Sequence, residues 1–272
     1  MSDETSGPPP HALSFGGVAD AYERARPAYP PEAVAWLVGS SPATVLELGA
    51  GTGKLTQQLA ARGHTVIATD PSEPMLRRLT ARRTTPAAVL ATAERIPLGA
   101  RSVDTVVSAQ AFHWFDPARA LPEIARVLRL GGTLALVWNL RDERIPWVRR
   151  LGRLIGTQEL QSDPAPALDA SGLFLQVEHH TFRFWQQLTR SSLQDLVRSR
   201  SNIAVMSPSE RDRVLAEVDA LYADYARGSE GLRLPYVTHC YRAQVRETEV
   251  RDHGGAVPSD ETGTDALLID FR

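Results

Sequence analysis

Val45-Leu46-Glu47-Leu48-Gly49-Ala50-Gly51-Thr52-Gly53-Lys54-Leu55-Thr56 is the stretch whose reading decides the fold. Val45 to Leu48 is a short apolar run interrupted only by Glu47, which suits a buried strand. Glycine then occupies every second position, and a helical pattern begins at Lys54. Glycine is needed where the backbone turns with φ > 0, or where a ligand must approach main chain with no Cβ in the way. A strand that feeds such a turn into a helix N-terminus places a ligand at the carboxyl edge of a parallel sheet. Glycine-rich turns without ligands also occur, so the flanking sequence has to decide.

Downstream, Thr65 to Thr69 is a β-branched strand that ends at Asp70, which lies 19 positions after Gly51. Two carboxylate oxygens match the two vicinal hydroxyls of a ribose. The plainer role is helix capping, since Ser72 and Glu73 start a helix well. Residues 87–92 and 102–109 read as the third and fourth strands. The fourth leads into Gln110-Ala111-Phe112-His113-Trp114-Phe115-Asp116, a loop placed beside any ligand in the crevice. His113 titrates near neutrality and suits proton transfer; the alternative is a histidine that shapes the pocket wall. Residues 117–128 form an amphipathic helix and 133–139 a nearly all-apolar fifth strand. Trp138, Asn139 and Arg141 end that strand on the same edge as His113. Upstream, Phe15, Tyr22, Arg26 and Tyr29 are a dense aromatic and basic group in a short segment. A guanidinium there suits a carboxylate, because its planar fork donates two hydrogen bonds.

The spacing Glu47-x-Gly49-x-Gly51-x-Gly53 differs from the dinucleotide fingerprint G-x-G-x-x-G. It resembles the first motif of the class I S-adenosylmethionine-dependent methyltransferases, an acidic residue followed by G-x-G-x-G. Ala93-Glu94-Arg95-Ile96-Pro97-Leu98 is similar to that family's adenine-lining loop, with Thr92 where the family most often has aspartate. The run from Glu123 to Leu136 is also typical of it. The Ala-Phe-His-Trp-Phe-Asp and Val-Trp-Asn-Leu-Arg-Asp loops resemble the small-molecule type 11 branch that includes trans-aconitate methyltransferase-like proteins.

The resemblance implies an α/β, Rossmann-like, seven-stranded and mostly parallel sheet with helices on both faces and a small helical annex. It also implies S-adenosyl-L-methionine as cofactor and methyl transfer to an oxygen, nitrogen or carbon of a small molecule. By position in the motifs, Tyr22, Arg26, Glu47, Gly49, Ala50, Gly51, Gly53, Asp70, Pro71, Met75, Ala93, Glu94 and Gln110 would hold the cofactor. Phe15, Tyr29, His113, Trp114, Trp138, Arg141 and Arg200 would border the substrate, with Arg141 or Arg200 placed to hold an acidic one; Trp147, Trp185 and Ser201 are further annex candidates. A non-catalytic binding protein with the same pocket is one rival reading. A nicotinamide-dependent oxidoreductase is another, disfavoured by the glycine spacing.

Composition narrows the partners. The 272 residues carry a net charge of −2, so no general attraction to nucleic acid or to an anionic membrane is expected. Cys240 stands alone, and no Cys/His cluster has zinc spacing, so no metal is expected. No apolar run approaches the roughly 18 residues of a membrane span, and no signal sequence opens the chain. A cytoplasmic protein, monomer or homodimer, is the expectation. Along the chain, residues 1–12 read as disordered, 13–40 as N-terminal lid helices and 41–141 as the cofactor-binding core. Residues 142–246 read as the rest of the sheet with inserted substrate-selecting helices, and 247–272 as a flexible tail.

Overall fold

The computed structural model describes residues 26–81, 87–156, 163–226, 228 and 231–247. Phe15, Tyr22, the N-terminal lid up to residue 25 and the tail beyond 247 lie outside the described residues. The chain runs through α1 (Pro31–Val38), β1 (Thr44–Leu48), α2 (Lys54–Ala60), β2 (Thr65–Asp70), α3 (Glu73–Thr80), β3 (Ala87–Leu90), β4 (Val103–Ala109) and a 3₁₀ turn (Phe112–Trp114). It continues through α4 (Pro117–Val127), β5 (Leu128–Arg141), α5 (Pro146–Ile155), α6 (Ala165–Ser171), β6 (Glu178–Leu188), α7 (Arg190–Arg198), α8 (Ser201–Ala204), α9 (Pro208–Tyr225) and β7 (Leu232–Gln244).

The strands form one seven-stranded sheet in the order β3-β2-β1-β4-β5-β7-β6. β1 to β5 are parallel, and β7 lies antiparallel between β5 and β6. The expected seven-stranded, mostly parallel sheet is therefore present. The chain steps outward from β1 to β3 and then returns to place β4 on the other side of β1. Loops leaving β1 and β4 part in opposite directions at that switch point, which opens a crevice at the strands' carboxyl ends.

The period of two along each strand sorts the core onto two faces. Val45, Val66, Val107, Ala135 and Val137 pack against α1 and α2. Leu46, Leu48, Val106, Leu134, Leu136 and Trp138 pack against α4. Glu47 follows Val45's parity, so its side chain faces α2. A second apolar cluster joins α5, α7 and α9 to the Leu188 end of β6 and to Leu232, Leu234 and Tyr236 of β7. That cluster is the annex. Its longest helix starts with a capping box, in which Ser207 and Glu210 satisfy each other's backbone N–H groups.

Several expected boundaries move. β5 starts at Leu128, before the glycine pair that reads as a turn in the sequence. Gly131 absorbs the irregularity with φ 71°. A Cβ on Gly132 would stand 2.9 Å from the Arg129 carbonyl oxygen and 3.0 Å from that of Asp104. The two glycines thus let β5 run close beside β4 instead of ending a helix. α6 lies where Pro164 and Pro166 suggest a loop; these prolines sit at its N-cap and first turn, where a missing N–H is harmless. β6 begins only at Glu178, and Phe174 makes an isolated bridge to Val245. β6 is a largely exposed edge strand, so its alternation carries little burial signal. Among the described residues no helix is long and apolar enough to cross a membrane, and no group of three or more His, Cys, Asp or Glu side chains is arranged to hold a metal.

Replacing Gly132 with valine is expected to destabilise the protein by roughly 2 kcal/mol or more through overpacking against two backbone carbonyls. A lowered urea midpoint with an unchanged denaturant slope would report it. Retention of the wild-type midpoint would contradict the close approach of β4 and β5.

Candidate active site

The crevice at the switch point has two connected halves. One, of about 50 Å³, is lined by Arg26, Pro27, Tyr29, Glu47, Thr52, Lys54, Leu55, Asn139 and Tyr236 with the glycine loop. The other, of about 130 Å³, is lined by Asp70, Pro71, Met75, Ala111, Trp114 and Phe115. Gly49, Gly51, Ala109 and Gln110 are common to both.

The loop between β1 and α2 has left-handed backbone at Gly49, Gly51 and Gly53. Two of these glycines serve different ends. A Cβ on Gly49 would lie 2.5 Å from the Ala111 Cβ, so this glycine lets the β4 loop pack on it. At Gly51 nothing stands within 4 Å of where a Cβ would be; the residue faces open crevice. The loop is pinned by one side chain. Asp70 accepts the Gly51 N–H on Oδ2 at 2.8 Å and the Ser72 N–H on Oδ1 at 2.8 Å. Burial raises the Asp70 carboxyl pKa, and the two N–H donors oppose that rise. Each oxygen keeps lone-pair capacity on the crevice side.

Glu47 is 1% exposed and accepts a hydrogen bond from the Thr56 hydroxyl of α2. Burial pushes its carboxyl up to about 8; the Thr56 hydrogen bond opposes this and the nearby Asp70 adds to it. The group is therefore protonated at neutral pH in the ligand-free cleft. Thr52, in the same wall, has a buried hydroxyl without a hydrogen-bond partner among the described residues. Lys54 has its pKa lowered by burial and by Arg26.

On the β4 side, Gln110 sits at φ 59°, a strained value for a residue with a Cβ. It is held by its N–H to the Val137 carbonyl at 2.9 Å and its side-chain amide to the Asn139 carbonyl at 3.1 Å. Asn139 donates to the Ala28 carbonyl at 3.2 Å and accepts from the Thr238 hydroxyl at 2.7 Å. It thereby ties the segment entering α1 to β5 and β7. The same segment is held by Gln58, which accepts the Tyr29 N–H at 3.0 Å and donates to the Tyr29 carbonyl at 2.7 Å.

The crevice brings together Arg26, Tyr29, Glu47, Gly49, Ala50, Gly51, Asp70, Pro71, Met75, Gln110 and Trp114 of the residues singled out in the sequence. Gly53 starts α2 in left-handed conformation beneath the loop, against Leu79. Ala93 is buried in the core beside Ile96, and Glu94 accepts the Asp116 N–H at 3.0 Å. His113 lies tilted against Trp114, with centroids 4.6 Å apart, and is not among the residues lining either half. Burial pushes its imidazole down to about 4. Trp138 does not border the crevice: strand parity turns it to the α4 face, where it packs edge-on against Tyr241. Trp185 is 55% exposed on edge strand β6, under Arg233, and is no pocket residue. Arg141 is buried behind the crevice rather than lining it. Thr52, Lys54, Ala109 and Tyr236 are crevice residues that the sequence did not single out; Tyr236 arrives from β7, with no motif around it.

The pattern has known counterparts. Residues 46–136 match the family model described as a methyltransferase domain. An uncharacterized methyltransferase of Mycobacterium tuberculosis is 50% identical over 240 residues, covering 86% of this chain and 96% of its own. The chain belongs to the class I methyltransferase family. An uncharacterized methyltransferase of Schizosaccharomyces pombe is 36% identical over 214 residues, 75% of this chain and 84% of its own. A solved protein of Anaeromyxobacter dehalogenans, designated a type II methyltransferase, superposes with TM-score 0.59 at 26% identity over 81% of this methyltransferase and 97% of that chain.

The raised Glu47 pKa has a measurable consequence. A carboxyl that keeps its proton in the fold up to about pH 8 but loses it near 4.5 when unfolded stabilises the ligand-free fold below pH 4.5. That contribution is lost as pH rises through 8. Urea unfolding of the ligand-free protein is expected to show stability falling between pH 5 and 8, by on the order of a few kcal/mol at most. Glu47→Gln should flatten the slope. A variant with the wild-type slope would assign Glu47 an ordinary acidity.

Proposed function

We propose that this methyltransferase uses S-adenosyl-L-methionine, bound across both halves of the crevice, and methylates a small molecule. The observation that carries the reading is the glycine loop held open by Asp70. Gly51 presents bare main chain to the crevice while Asp70, its backbone contacts made, still has acceptor capacity facing the same space. Asp70 would receive the ribose hydroxyls, with Met75, Pro71, Trp114 and Phe115 around the base. Arg26 would hold the methionine carboxylate at the other end. The orphaned Thr52 hydroxyl supplies an unused polar atom in that wall. When bound, the cofactor supplies an electrophilic methyl group on a cationic sulfur.

The residues of the crevice bind and orient rather than exchange protons. His113 has its imidazole pushed down to about 4, which leaves it neutral and weakly basic at pH 7. In this reading it braces Trp114, and the acceptor is placed in line with the methyl by the crevice walls. Glu47 provides a carboxyl next to a cationic ligand, which favours its ionised form once the ligand arrives.

S-adenosylhomocysteine is expected to raise the melting temperature, and reduced nicotinamide dinucleotide is not. Asp70→Ala should weaken S-adenosylhomocysteine binding by about 1–3 kcal/mol in calorimetry. Unchanged affinity would remove Asp70 from the ribose role. His113→Ala should lower turnover without removing a titrating limb near neutrality; loss of such a limb would make His113 the base.

A further inference from the structure

A cavity of about 310 Å³ opens at the sheet edge opposite the crevice. The turn before β4, the start of β5 and the chain leaving β7 meet there, at the amino ends of the parallel strands. Its floor is apolar: Leu128 and Val245 are buried, with Leu173 beside them. Leu130, in the same wall, is 56% exposed. An exposed leucine alone is ordinary; one continuous with an apolar cavity marks a contact surface.

Four arginines rim this floor. Arg126 is engaged by Glu123 and by the Leu98 and Ile96 carbonyls. Arg129 pairs with Asp104. Arg246 gives its Nε to the Phe174 carbonyl at 2.8 Å and has no carboxylate partner among the described residues. The Arg101 side chain has no partner among them. Arg101 also sits at φ 53°, left-handed backbone that disfavours a residue with a Cβ. Its N–H to the Arg126 carbonyl at 2.9 Å and the Ser102 N–H to the Val127 carbonyl at 2.8 Å hold that turn. A strained turn thus places an unpaired guanidinium on the rim. Two arginines without a carboxylate beside an apolar floor suit an occupant that is both acidic and apolar.

The chain carries such a segment, and the path to it starts at this groove. Val245 and Arg246 line the cavity, and the sequence runs on from them to residue 272. Residues 248–272 hold six acidic residues against two arginines, a charge opposite to that of the rim. Within them, Asp265-Ala266-Leu267-Leu268-Ile269-Asp270-Phe271 combines four large apolar side chains with two aspartates. Residues 248–264 give a tether of up to roughly 50 Å, ample for a return to its own starting point. Tethering also supplies an effective concentration on the order of millimolar, which a free partner would have to exceed. We propose that Asp265–Phe271 of this chain seats in the groove, its apolar side chains on the floor of Leu128, Leu130 and Val245 and its aspartates toward Arg101 and Arg246. The contact lies away from the crevice and is independent of the cofactor reading.

The test keeps the chain at full length. Leu267→Ser combined with Ile269→Ser strips the segment of apolar surface, and Arg101→Gln removes an exposed rim charge. The probe is a fluorescent synthetic peptide with the sequence of residues 264–272. The double serine variant is expected to bind it at concentrations where wild type, its groove already filled, does not. Adding Arg101→Gln to that variant should weaken the peptide roughly tenfold. In the double serine variant the amides of residues 128–132 and 245–247 should exchange hydrogen faster than in wild type. Its melting temperature should fall by roughly 2–4 °C. A peptide that binds wild type and variant alike, or neither, would overturn the proposal, as would unchanged exchange at those amides. A wild type that sediments as a dimer beside a monomeric variant would put the segment in the groove of a second copy and overturn docking on its own chain.

Discussion

Asp70 holds the site together. Its two oxygens take one backbone N–H from the glycine loop and one from the start of α3, each at 2.8 Å. The Ala50 N–H to the Thr69 carbonyl and the Gly53 N–H to the Ala50 carbonyl, each at 2.9 Å, hold the same loop, whose three left-handed glycines leave the backbone many alternatives in the unfolded chain. A charged acceptor at the end of β2 selects one of them. It does so at the switch point, where β1 and β4 send their loops apart, so the selected conformation is also the one that leaves a crevice open.

Charged and titratable groups are spread along the crevice. At one end sits Asp70. In the middle, Glu47 is buried against α2 and keeps its proton up to about pH 8. At the other end stands Arg26. In the proposed reading, a ligand with a hydroxylated sugar, a cationic centre and a carboxylate would follow that order from one end to the other. The histidine with the most suggestive sequence position lies to one side, and its burial lowers the basicity that made it attractive.

The parts that were legible in the sequence are those whose physics is local. Gly49, Gly51, Gly53 and Asp70 announce themselves because a turn of that shape admits no side chain, and because a carboxylate at a fixed distance can reach back to it. The parallel strands were legible from their apolar runs. Trp138 was misplaced because proximity to the strand end was weighed and side-chain parity was not: Asn139 reaches the crevice side, and its neighbour must face the other way. Tyr236 was hidden because its place in the crevice depends on β7 inserting between β5 and β6, a pairing no local pattern encodes. Thr52 reads as a spacer in the motif, and only its orphaned hydroxyl marks it. α6 was concealed by prolines that break a helix interior but suit its first turn.

Among the described residues, the segment before α1 is tied to β5 by Asn139 to Ala28 and to the annex by Arg26 to Ser199. In the proposed reading, cofactor and acceptor would share the walls of one crevice, and an occupant at either end would bear on the same side chains. A crystal structure of the protein with S-adenosylhomocysteine is the most direct measurement. The ribose hydroxyls are expected on Asp70, with the sugar against Gly51 and the amino-acid end toward Arg26. A nucleoside lodged elsewhere, with the crevice closed by the chain's own side chains, would contradict the assignment.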